Sequence, residues 1–262
     1  MTDFYVGYLP KAPKQLASFI RRIVGVLGAL LVATALVLVF GQMPFDNSAF
    51  EYGKLRTFEG IVEAQPYPTL SVERPGAVGR EEKYSRYLMV APGKHGADDL
   101  VAGLDGKQVR LKGQLIYREG GTMIEVVPGS IGSVDAVPAT KEPIRDLGPV
   151  IVTGEIVDSK CYLGVMNPGR GKLHRDCAAR CLSGGIPPIF ISSDGEDQYL
   201  LVGPDETAIG RDALREFVAE PITVRGELVQ KGESRLLRID AGKLHHTLDR
   251  INTPLLSEGS QR

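Results

Sequence analysis

The sequence predicts a mainly β protein: one N-terminal transmembrane helix followed by two OB-like β-barrel modules, the second carrying a helical Cys/His insertion. Three observations lead there. A single uncharged apolar run stands near the N-terminus. Two sets of short segments with alternating polarity follow it in the same order. All three cysteines fall in an interval that only the second set contains.

Composition narrows the class further. Of 262 residues, 43% are hydrophobic and 24% charged, a balance that excludes a disordered chain and a polytopic membrane protein. A net charge of −1 offers no basic surface for nucleic acid. With no Trp and only 6% aromatics, a base-stacking platform or aromatic cage is not expected. Thirty-one Gly and seventeen Pro imply many turns and short strands.

The first element is the apolar run from Ile23 to Phe40, eighteen residues without a charge. At ~1.5 Å per residue it reaches roughly 27 Å, close to the ~30 Å hydrocarbon core. Lys11, Lys14, Arg21 and Arg22 precede it, against Asp3 alone, and the first charges after it are Asp46 and Glu51. The positive-inside bias then puts the N-terminus in the cytoplasm and the bulk of the chain in the periplasm, anchored in the inner membrane. A cleaved signal peptide is the competing reading. The long basic segment and the absence of Ala-x-Ala after the run favour an anchor, and Arg21-Arg22 alone is a weak twin-arginine signal.

The two modules are aligned by landmarks. Gly60 in Phe58–Glu63 matches Gly154 in Val152–Asp158. Tyr87 to Pro92 matches Tyr199 to Pro204, and Gly113 in Val109–Ile116 matches Gly226 in Ile222–Val229. Thr122–Val127 and Arg235–Ile239 close each set. Period-two alternation buries one face of each segment, and glycines inside strands suit the bends of a small closed barrel. A short helix before the fourth strand is expected at 211–218, with a weaker counterpart at 96–103. The expected boundaries are a cytoplasmic segment 1–22, a transmembrane helix 23–45, modules at 50–128 and 150–242, a linker at 129–149 and a polar tail at 243–262.

Spacing locates the chemistry. Tyr87 to Gly113 is 26 residues and Tyr199 to Gly226 is 27, but Gly60 to Tyr87 is 27 against 45 for Gly154 to Tyr199. The second module therefore carries an insertion, and functions are commonly grafted on as loops. Within it Cys161 follows a strand, a Gly/Pro-rich loop runs to Gly171, and Lys172 to Ser183 reads as a helix stopped by Gly184-Gly185. On that helix His174, Cys177 and Cys181 fall at i, i+3 and i+7, within an arc of roughly 60°. With Cys161 brought across, they form a Cys3His set suited to a zinc or copper ion, with Met166 as an added thioether for copper.

Two other readings stand beside the metal. Cys161 can pair with a helical cysteine as a disulfide, structural or redox-active, because a Cys177–Cys181 bond across one turn is strained. The thiols can also be inert. Arg170, Lys172, Arg175 and Arg180 would surround the cysteines with positive charge and favour thiolate, or simply form a solvated face. No C-x-x-C-H occurs, so haem c is not expected, and the spacing fits no ferredoxin run. Gly169-Arg170-Gly171-Lys172 is too short for a phosphate loop. His95 reads as a loop residue, His245-His246 as tail residues, and Asp158 as a cap on the loop backbone.

The string Asp158, Cys161-Tyr162, His174, Cys177-Ala178, Cys181, Gly185-Ile186-Pro187 resembles a motif of uncharacterised bacterial membrane-anchored proteins. The resemblance covers about forty residues of the second module and implies export, with no established activity attached. The Cys-x3-Cys pair with a nearby His is also similar to copper-handling assembly factors of respiratory oxidases. Those have a thioredoxin-like fold and a His that comes after the cysteines, whereas here it comes before.

No Ser/His/Asp order, Gly-x-Ser-x-Gly or dinucleotide fingerprint appears. The expected function is non-catalytic: a membrane-anchored accessory or assembly module holding a metal through Cys161, His174, Cys177 and Cys181. The alternatives are a thiol–disulfide oxidoreductase using Cys161, Cys177 and Cys181, and an interaction subunit of a membrane redox complex with a structural disulfide.

Overall fold

A computed structural model describes residues 12–41, 48–75, 83–134 and 143–244. The chain divides into two units, Met1–Phe45 and Asp46–Arg262. Among the described residues the first contains one helix, α1 (Lys14–Gly41), which is long and apolar enough to cross a membrane and has no buried residue. It begins nine residues before the uncharged run, because Lys14, Arg21 and Arg22 are good helix formers that extend it on the polar side.

Among its described residues the second unit has thirteen strands: β1 (Ala49–Phe50), β2 (Arg56–Glu63), β3 (Thr69–Glu73), β4 (Tyr84–Ala91), β5 (His95–Gly96), β6 (Gln108–Arg118), β7 (Gly121–Val126), β8 (Gly132–Ser133), β9 (Ile144–Asp158), β10 (Pro188–Ser192), β11 (Gln198–Val202), β12 (Ile222–Lys231) and β13 (Ser234–Arg238). Ten of them form two closed five-stranded barrels, while β1 and β8 pair with β6 and β5 with β4. In the first, β2, β3, β4, β7 and β6 pair in a ring, with β4 and β7 parallel. In the second, β9, β10, β11, β13 and β12 pair in the same order, with β11 and β13 parallel. This OB-like connectivity is shared strand for strand.

The aligned landmarks occupy equivalent places. Tyr87 stands opposite Leu70, and Tyr199 opposite Phe190, in the corresponding strand pair of each barrel. A Cβ on Gly60 would press on the Ser71 carbonyl, and one on Gly154 on the Ile191 carbonyl. Gly113 and Gly226 likewise face the carbonyls of Glu125 and Arg238. At each corner a side chain would force the neighbouring strand away, so glycine lets the sheet coil shut.

Three local expectations are revised. Ile144–Pro149, expected as linker, extends β9 and pairs with β12. The helix expected at 211–218 is a single 3-10 turn, Arg211–Leu214. In the first barrel Asp98–Leu100 forms the matching turn.

The barrels share a core. Val90, Ile116 and Met123 of the first pack with Val157, Tyr162, Leu163, Ile186, Ile189 and Ile191 of the second. Tyr67 reaches out of the first barrel, donates to the Leu201 carbonyl at 3.0 Å and accepts from Ile209 N–H at 3.2 Å. Lys160, only 3% exposed, enters the turn between β4 and β5. Its three ammonium protons meet three acceptors: the carbonyls of Ala91 (2.9 Å) and Gly93 (2.7 Å), and the Glu125 carboxylate (2.5 Å). Burying an ammonium is tolerable here because its charge and every donor are matched.

Candidate metal centre

The insertion starts where β9 ends. Asp158, Ser159, Lys160 and Cys161 are all buried, and the chain makes a wide helical turn over Cys161–Val165. Asp158 Oδ1 accepts from the Cys161 N–H at 2.8 Å, the loop cap expected of this residue. The loop returns through Gly171, whose φ of 76° suits glycine and whose N–H donates to Glu155 Oε2 at 2.8 Å. A 3-10 turn, Lys172–His174, then leads into α2 (Arg175–Ser183).

That 3-10 turn matters. His174 precedes the α-helix instead of lying on it, so it does not share the stripe with Cys177 and Cys181. The tighter turn rotates its ring toward β9, where His174 and Asp158 Oδ2 meet at 2.8 Å through Nε2. Both side chains are fully enclosed.

The three sulfurs do converge. Cys161 Sγ lies 3.9 Å from Cys177 Sγ and 3.9 Å from Cys181 Sγ, and all three fall within 4.8 Å of one another. No disulfide is formed. A second group, Asp158, Cys161 and His174, also lies within 4.8 Å, so Cys161 belongs to both. His174 thus groups with Asp158 and Cys161, and the four residues expected as one set fall into two trios that overlap at Cys161. Met166, the added thioether expected for copper, is exposed.

Of the two readings of the basic residues around the thiols, the solvated face fits Lys172 and Arg180, which are exposed. The cation on the thiols is Lys94, from the β4–β5 turn of the first barrel, with Nζ donating to Cys177 Sγ at 2.9 Å. Arg175 instead pairs with Glu220 at 2.5 Å. Nothing in the spacing of Lys94 marks it, because its place depends on how the barrels dock. The docking is close: Gly96 N–H donates to the Gly184 carbonyl at 2.9 Å, and a Cβ on Gly184 would collide with the Lys94 carbonyl. The bond to Cys177 holds the Lys94 ammonium above its ordinary value. A hydrogen bond from Cys161 draws the Cys181 thiol down, while that bond and burial push the Cys161 thiol up.

His95 is exposed beside this turn. His245 and His246 lie outside the described residues. Searches of protein-family models, curated proteins and solved structures return no match to this chain.

Proposed function

We propose that this chain is a membrane-anchored, exported accessory or assembly protein that holds one zinc or copper ion at the barrel junction. Cys161, Cys177 and Cys181 supply the sulfurs, and His174 closes in as the fourth ligand. One observation carries the reading: the 3.9 Å separations of Cys161 Sγ from the other two sulfurs. At a metal–sulfur bond of about 2.3 Å, a tetrahedral site needs sulfurs about 3.8 Å apart and a trigonal one about 4.0 Å. A disulfide needs about 2.05 Å. The basic flank before α1 supports a cytoplasmic N-terminus and extracytoplasmic barrels. The motif's resemblance to membrane-anchored bacterial proteins supports export. The matched connectivity and corner glycines support two modules of one design, with the first barrel recruited to cover the site of the second.

The test is metal content. Full-length protein, purified anaerobically in detergent, should carry about one zinc or copper per chain and lose it on Cys181→Ser. Metal-free protein that turns over a disulfide substrate would move the assignment to thiol–disulfide exchange, for which the half-buried Cys177 under Lys94 is the attacking group. Metal-free protein with one free thiol and no turnover would leave a structural staple.

A further inference from the structure

His174 is 1% exposed, and its Nε2 is occupied by Asp158 while its Nδ1 has no hydrogen-bond partner among the described residues. An imidazole nitrogen sealed from water without a partner is costly, and buried polar groups in folded proteins seldom go unmatched. The Asp158 carboxylate is an acceptor at both oxygens. It takes the Cys161 N–H on Oδ1 and faces His174 Nε2 with Oδ2, each at 2.8 Å. A carboxylate in that place calls for a proton on Nε2, which leaves Nδ1 as a bare lone pair.

Resting on the metal reading above, we infer that Asp158 is the positioning residue of the centre: it fixes His174 as the Nε2–H tautomer so that Nδ1 is the ligand atom, and it holds Cys161 with its other oxygen. Metal-bound imidazoles characteristically donate their second N–H to a carboxylate, which sets ring orientation and raises ligand basicity. Here one buried carboxylate governs a nitrogen ligand and a sulfur ligand at once. It does so from the last residue of β9, so the barrel wall itself aims them.

Asp158→Asn tests this with little change of shape. Asparagine can still accept from Cys161 N–H through its oxygen. Its amide then donates to Nε2, which moves the ring proton to Nδ1 and blocks that ligand. Zinc affinity of the full-length protein, measured by competition with a chelator, should fall about 10- to 100-fold. In the Co2+-loaded protein the visible bands should shift as nitrogen is replaced by water. In a His174→Ala background Asp158→Asn should add no further loss, whereas a purely structural role for Asp158 would still show there. Nitrogen NMR of the zinc-loaded wild type gives a readout that needs no variant: Nε2 carries the proton and Nδ1 is metal-bound. A doubly protonated ring, a metal-bound Nε2, or His174 signals indifferent to zinc would overturn the inference. Unchanged zinc affinity in Asp158→Asn would overturn it as well, leaving a three-sulfur site standing. Wild-type protein that binds neither Zn2+ nor Co2+ would sink the metal reading itself.

Discussion

Tyr67→Phe isolates what joins the two barrels. The ring stays, so the apolar burial of this 7%-exposed side chain is retained. Only the hydroxyl goes, and with it the bonds to the Leu201 carbonyl and from Ile209 N–H, partners 134 and 142 residues away in the chain. Burial pushes the phenol up to about 12, so the hydroxyl keeps its proton across the neutral range and serves as both donor and acceptor. Its removal leaves one N–H and one carbonyl lone pair without their partner, the carbonyl on buried Leu201 and the N–H on half-buried Ile209. At about 1–3 kcal/mol for each stranded group, with partial relaxation, the combined cost is about 2–4 kcal/mol. Urea unfolding of the full-length protein in detergent reads it, followed by near-ultraviolet circular dichroism of the nine tyrosines. The midpoint should drop while the slope stays constant. Tyr52→Phe, on an exposed ring, should change stability by less than about 0.5 kcal/mol. If the two variants behaved alike, the barrels would be held by apolar contact alone and the peg would be incidental.

Three further outcomes follow from the same junction. Burial alone pushes the Glu63 carboxyl up, but Arg86 and, across the seam, Lys231 overcome it and hold the group at about 2 against an ordinary 4.5. A carboxyl lowered on folding stabilises fully above pH 4.5 and loses that contribution as pH falls toward 2, so up to roughly 3 kcal/mol should vanish over that window in wild type but not in Glu63→Gln, as seen by urea titrations at stepped pH. Gly184→Ala should cost at least 1–3 kcal/mol by overpacking against the Lys94 carbonyl, and Gly210→Ala, with open space around it, should be near neutral; thermal melts of both variants compare them. In metal-free protein, alkylation followed by peptide mapping should mark Cys177 first, because Cys161 and Cys181 are buried.

Some of this was legible in sequence because it is local. Alternation marks strands, and a corner glycine is needed wherever strands coil tightly, so Gly60, Gly113, Gly154 and Gly226 alone outline two barrels of like design. The insertion betrayed itself by length, and convergence of three thiols followed from helical spacing plus one strand end. The parts that stayed hidden depend on distant contacts or on a fine choice of helix type. Lys94 and Tyr67 are unremarkable letters until the barrels dock. His174 read as part of a helical stripe because a 3-10 turn and the first turn of an α-helix share their residue preferences. The difference, a tighter rotation, turns the ring's Nε2 onto Asp158 and sets it beside Cys161 rather than in line with Cys177 and Cys181.

The location of the thiols would make the proposed metal binding a property of both barrels. Cys161 and Cys181 belong to the core cluster that includes Val90, Ile116 and Met123 of the first barrel, and Cys177 is held by Lys94 from that barrel. A ligand that binds only the folded state stabilises it by an amount set by its concentration over its dissociation constant, about 4 kcal/mol at a thousandfold excess. Were the insertion an independent zinc-pinned loop, that stabilisation would stay within it. Because its sulfurs are part of the seam, zinc should slow hydrogen exchange in β4 and β7 of the first barrel as well as in α2 and β10. Protection gained only between residues 158 and 188, with β4 and β7 unchanged, would show that the metal secures the insertion alone and that the shared core does not couple the barrels to it.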